Sequence, residues 1–341
     1  MVSLRQITTP KIAKWLNAFL GLLILCFGIS ADLSGNSQVF ADDLAELPES
    51  HSVTPELYAT GFEFAEGPAV DKSGNLFVVN YRRAGTIGRI TPNGEASIWC
   101  DLVEAVPVDD RITRANGLKV DSENRLIVAD AGAGRLLRVS SDGQQIEVLA
   151  DRCEGARFHS INDVALDTEG NIYFSDPGGS SAESPTGSVY RFDIGTKKTT
   201  LLATDMAFPN GLAVSPDQEK LCVAESQAYR ILSFDLQTDG TVKNPKVVIE
   251  FPLENLGNVR GGRFDPDGMV FDKQGRLYVA MWVGGVINVV DIETGTLLRQ
   301  YKAGGLKATN CHFHSDYLYV TVAAKEAVFR LKLGVEGHPY Q

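Results

Sequence analysis

The chain lacks the short motifs that announce the commonest hydrolase and nucleotide chemistries. It has no G-x-S-x-G nucleophile elbow, no H-E-x-x-H zinc helix and no G-x-x-x-x-G-K-[ST] phosphate loop. Basic charge is also in short supply: 32 Lys and Arg stand against 43 Asp and Glu, a net charge of −11. Phosphate backbones are bound by clustered Lys and Arg, so a nucleic-acid partner is excluded. No run of like charges is long enough to make a solvating tail. Nor is any apolar run long enough to span a bilayer comfortably, which takes about 20 residues; the longest, Ala18–Ser30, falls short.

That short run has a different meaning. It follows Arg5, Lys11 and Lys14 with no acid between them, the pattern of a secretory signal. Val39-Phe40-Ala41 supplies small residues for cleavage, so residues 1–41 are expected to be a signal peptide (or an N-terminal anchor) and 42–341 the working domain. Export, periplasmic or secreted, is the expectation, with membrane attachment only if the segment stays uncleaved. Of the cysteines beyond it, Cys222 and Cys311 lie in apolar strand patterns and read as buried thiols. Cys100 and Cys153 each end an apolar strand in successive repeats, and in an exported protein they could pair.

One template recurs six times. It begins at Glu66, Asn116, Asn162, Asn210, Asp267 and Asn310, and reads, for example, NGLKVDSENRLIVAD and NDVALDTEGNIYFSD. Each copy is an alternating strand, a turn with Asp and Gly or Asn, and a second strand; third and fourth strands follow. Four short strands in about 40–50 residues are a propeller blade. The sixth copy lacks a fourth strand, and PELYATGF before Glu66 supplies one without a blade of its own. The expected fold is an all-β, six-bladed β-propeller of four-stranded blades, closed by that N-terminal strand in the last blade.

In a propeller the innermost strands run the same way, so their first residues form a ring about the axis. Two carboxylates and several amide oxygens converging there suit a hard cation such as Ca²⁺, whereas the thiolate and imidazole that softer metals prefer are missing from the ring. Asn-Gly and Asp-Gly are also ordinary turn signals, which gives three ring positions a second reading. Glu66 has no such alternative. The pieces DKSG, DTEG and DKQG lack the Glu that completes an EF-hand and read as hairpin turns.

These residues resemble the senescence marker protein/gluconolactonase family of regucalcin-like lactonases. The motifs are Glu66-Gly67-Pro68, Asn162-Asp163, Pro209-Asn210-Gly211 followed by LAVSPD, and Asp265-Pro266-Asp267-Gly268, in order at blade spacing. The resemblance covers residues 58–332 and extends to bacterial drug-responsive lactonases and, more distantly, to diisopropyl fluorophosphatase. It implies that Glu66, Asn210 and Asp267 bind a divalent cation, usually Ca²⁺, with Asn162 beside it as ligand or substrate contact. Two departures argue against gluconolactone itself. Ser160 stands where the sugar-lactone branch has Arg, and Asp176-Pro177-Gly178-Gly179 replaces Asp-Pro-Pro-Tyr-Gly.

The expected chemistry is hydrolytic opening of a lactone or ester. The cation polarises the carbonyl and a carboxylate takes the proton of the attacking water, Asp267 first and Asp163 second. Asn116, His159, Arg263 and His312 are candidate substrate contacts. His312 and His314 read equally as channel lining, and Arg260 and Arg263 as neutralisers of an acidic wall. Two other functions fit the same ring: a non-catalytic, metal-stabilised binding propeller and a phosphotriesterase-type hydrolase.

Overall fold

The computed structural model describes residues 47–83, 85–108, 110–252 and 265–339. Residues 1–46, which include the expected signal segment, lie outside them, as do Arg260 and Arg263. No helix among the described residues is long and apolar enough to cross a membrane.

The fold is a six-bladed β-propeller, six four-stranded antiparallel sheets in a ring. Their inner strands are Ala65–Val70, Ala115–Val120, Val164–Leu166, Pro209–Val214, Pro266–Phe271 and Ala308–His314, in blades one to six. In the first five blades the chain runs outward through three more strands before moving on. The sixth sheet contains Ala308–His314, Tyr317–Val322 and Ala327–Lys332. Its outermost strand is Glu56–Thr60, antiparallel to Ala327–Lys332.

Burial grades outward. Every residue of inner strand Ala65–Val70 is buried, while Ala96–Asp101 at the outer edge of that blade is half exposed. The alternating apolar residues fill seams between blades. Phe77, Val79 and Ile87 of blade one pack on Leu118, Val128 and Leu137 of blade two. Phe62 and Val328 likewise meet Val70, Leu76 and Val78 across the seam of blades six and one. Each fully buried Leu, Ile or Phe contributes about 1.5–3 kcal/mol. No sheet could bury its faces alone.

The hairpin turns are built as the Asp-and-Gly pattern suggests. Asp71 Oδ1 accepts from Ser73 N at 2.9 Å and Asn75 N at 2.8 Å. Asp121, Asp167 and Asp272 repeat this arrangement. Both carboxylate oxygens of Asp71 face the turn's own N–H groups, so these are hairpin turns. Gly74 takes the left-handed position there at φ +79°.

The pairing that the sequence left open is not made: Cys100 and Cys153 are free thiols. They belong to different seams: Cys100 is buried between blades one and two, and Cys153 packs between blades two and three, with Sγ 3.5 Å from Thr199 O.

Candidate active site

The ring residues sit where the inner strands break register. In blade one the pairing with the second strand shifts between Glu66 and Ala69, and in blade five between Pro266 and Met269. Blades two and four shift at the same place, and in blade six the shift comes just before Asn310, between Ala308 and Asn310. Such an irregularity can re-aim a side chain. Blade three differs, because its inner strand starts only at Val164 and leaves Asn162 half-buried before it. Glu66, Asn116, Asp163, Asn210, Asp267 and Asn310 are all buried.

Neighbouring inner strands approach too closely for a side chain after the ring residue. A Cβ on Gly117 would lie 2.1 Å from Asp163 Oδ1, and one on Gly268 would lie 2.0 Å from Asn310 Cγ. Neither glycine has positive φ. These Asn-Gly and Asp-Gly pairs are therefore strand contacts, not turns. Hydroxyl groups stitch the blades at the same level: Thr309 Oγ1 donates to Ala65 O at 2.9 Å, Ser175 Oγ to Asn210 O at 2.6 Å, and Ser226 Oγ to Pro266 O at 2.6 Å.

Three carboxylates act on one another in this buried space. Burial and then Asp163 raise Glu66 from its ordinary 4.5 to about 8, against the Gly67 N–H and Thr309. Burial raises Asp267 well above the usual range, with Glu66 and Asp163 adding to it and an Asn210 hydrogen bond opposing. Burial also raises Asp163, although Lys119, the Val164 N–H and Asn310 pull it down. None of the three makes an ion pair among the described residues. Lys119 opposes this at Asp163 without forming an ion pair; buried like charges so weakly compensated are costly, and a cation between them removes the cost.

The oxygen set fits a hard cation. It mixes carboxylates with the amides of Asn162 and Asn210. Among the described residues no three His, Cys, Asp or Glu side chains form a metal cluster by themselves. Asp163 is already occupied: its Oδ1 accepts from Val164 N at 2.8 Å and its Oδ2 from Asn310 Nδ2 at 3.0 Å.

The remaining candidates scatter. Asn116 stays in the ring. His159 is exposed, its backbone N held at 2.8 Å by Asp176 Oδ2 in the Asp-Pro-Gly-Gly loop. His312 lines a different cavity of about 230 Å³ with Lys119, His314 and His338, and Gly74 of a hairpin turn lies beside His314. Burial, Lys119 and His314 push His312 down to about 3, so it is neutral at physiological pH. Sequence reasoning passed over Phe64, Tyr81 and Arg114. Phe64 and Arg114 each stand two residues before a ring position, and that spacing is the signal they carried.

Comparison with known proteins places the chain. Residues 64–324 match the family described as SMP-30/Gluconolactonase/LRE-like region. A gluconolactonase of Zymomonas mobilis is 28% identical over 291 residues, covering 81% of this chain and 80% of that protein. A diisopropyl-fluorophosphatase of Loligo vulgaris is 31% identical over 296 residues, covering 79% and 88%. The solved structure of a calcium-binding protein, regucalcin, from Agrobacterium tumefaciens shares the fold, with a TM-score of 0.66 at 19% identity, covering 86% of this chain and 97% of that one. A six-bladed propeller with mutually repelling carboxylates at its inner strand ends, matched over that span, belongs to the SMP-30/gluconolactonase family.

Proposed function

We propose that the protein is a divalent-cation-dependent hydrolase that opens a lactone ring, with Ca²⁺ as the cation. The observation that carries this reading is the buried, mutually repelling set of Glu66, Asp163 and Asp267 without ion-pair partners among the described residues. Glu66, Asn162, Asn210 and Asp267 would hold the ion. When bound, it supplies Lewis-acid polarisation of the substrate carbonyl. Asp267 takes the proton from the attacking water. Asp163 is the weaker base because both its oxygens already accept N–H groups; it keeps Asn310 and the ring wall in place. Residues 1–41 serve export.

Asp267→Asn and Asp163→Asn, assayed on a panel of aliphatic, aryl and sugar lactones with metal content measured, test the assignment. Asp267→Asn is expected to lower kcat about 10²–10⁴-fold at saturating metal. Asp163→Asn should lose less. Equal losses, or full activity in Asp267→Asn, remove Asp267 from the base's role. The likeness to the diisopropyl-fluorophosphatase of Loligo vulgaris favours one second reading, a phosphotriesterase-type reaction on the same site, so phosphotriesters belong in the panel.

A further inference from the structure

One wall beside the ring has a composition that holding a cation does not require. Three aromatic side chains stand in a row. The rings of Tyr81 and Phe64 are 5.3 Å apart between centroids, and those of Phe64 and Trp282 5.5 Å. Each carries a cation: Arg114 lies 5.2 Å from the Tyr81 centroid, Arg82 5.3 Å from Phe64 and Lys307 5.3 Å from Trp282.

Backbone hydrogen bonds fix this row to the ring strands. Tyr81 N donates to Phe64 O at 3.3 Å, Trp282 N to Asp265 O at 2.8 Å and Lys307 N to Trp282 O at 2.7 Å. Arg114 N donates to Asp130 Oδ1 at 2.8 Å. Phe64, Arg114 and Asp265 precede Glu66, Asn116 and Asp267 by two positions each. The row therefore flanks the ring on the side of blades five, six, one and two.

Among the described residues these cations have ring partners but no anionic ones. Among the described residues none of Arg82, Arg114 and Lys307 has an ion pair or a side-chain hydrogen bond, and Arg114 Nε is buried without a partner. Three adjacent cations with no ion pair among the described residues are unexpected in a chain with 43 acids and 32 bases. An arginine stacked on an aromatic face keeps its N–H edge free, and that edge matches a carboxylate two bonds at a time. The half-buried aromatic faces next to it suit a planar apolar body.

We propose that this wall is the substrate-recognition subsite, that it takes an aryl ester or aryl lactone bearing a carboxylate, and that Arg114 pairs with that carboxylate. The substrate class rests on the hydrolase reading above; the binding of an aryl carboxylate does not. The test has two arms, both on the Ca²⁺-loaded mature protein. In the first, kcat/KM is compared for a carboxylated aryl ester and its uncharged methyl-ester counterpart. The carboxylated one is favoured, and Arg114→Gln lowers the ratio about tenfold or more, a charge-assisted pair being stronger than a neutral one; Arg114→Lys keeps part of the preference. In the second, an unreactive aryl carboxylate changes Trp282 fluorescence, more weakly in Arg114→Gln and not at all in Trp282→Phe. No preference for the charged ester, or an aryl carboxylate response unchanged by Arg114→Gln, overturns the proposal. If no ester is hydrolysed while the Arg114-dependent fluorescence change persists, the subsite stands and the hydrolase reading falls.

Discussion

Asn310 and Gly268 show how finely the ring is fitted. The Asn310 amide donates to Asp163 across the channel, from blade six to blade three, and its Oδ1 accepts from Cys311 N at 2.8 Å. Gly268 leaves the room for that amide. Gly268→Ala forces the side chain away and releases a buried carboxylate from one donor. It is expected to cost about 1–3 kcal/mol in urea denaturation. A loss below about 0.5 kcal/mol contradicts the close fit. Read as sequence, Asn310 looks like channel lining and Asp-Gly like a turn. Neither residue announces the other, because their contact joins positions that only the closed ring brings together. Glu66 was legible for the opposite reason: a Glu before Gly-Pro has no local use.

At the scale of the element, the hairpin turn is the repeated device, and its copies are not equal. Asp272 is fully buried; its Oδ2 accepts from Arg276 Nε at 2.6 Å and from Tyr278 Oη at 3.1 Å. Among the described residues Asp71 Oδ2 accepts from the Asn75 amide alone, at 2.8 Å. Removing Asp272 leaves a buried guanidinium without its anion, so Asp272→Ala should cost about 3–5 kcal/mol. Asp71→Ala should cost about 1–2 kcal/mol. Denaturant midpoints of the two variants decide it, and equal losses count against the buried pair. These turns and the strands they join were plain in the sequence because each depends on neighbours within a few residues. The late start of blade three was not: Asn162-Asp163 looks like the other openings, yet Asp163 folds back on Val164 N and the strand begins beyond it. The aromatic row was hidden similarly, since Phe64 and Trp282 meet only because blades five and one are bent around blade six.

For the whole molecule, the proposed cation would be linked to proton binding through the ring. Glu66 sits at about 8 against an ordinary 4.5, so the metal-free fold holds its proton more tightly than the unfolded chain does. Its contribution to stability is complete below about pH 4.5 and is lost as pH rises through about 8. A cation needs the ionised form, so Ca²⁺ should release protons and raise Tm more at about pH 8 than at about pH 5.5. Calorimetry at the two pH values checks this, and an increment independent of pH contradicts it. Export belongs to the same scale. N-terminal sequencing of protein recovered from outside the cytoplasm should begin at Asp42, whereas recovery only from the cytoplasm with Met1 present removes the signal reading. The six-fold plan was legible because a repeat declares itself by spacing, and the seams that hold it need only apolar alternation.

The measurement that bears most directly on the central claim is the rate of lactone opening by the purified protein, after chelation and again after Ca²⁺ is restored. Hydrolysis that disappears with the metal, returns with it, and fails to return in Asp267→Asn is the expected result. Chelated protein that opens lactones at the full rate, or Ca²⁺-loaded protein that opens none, contradicts it.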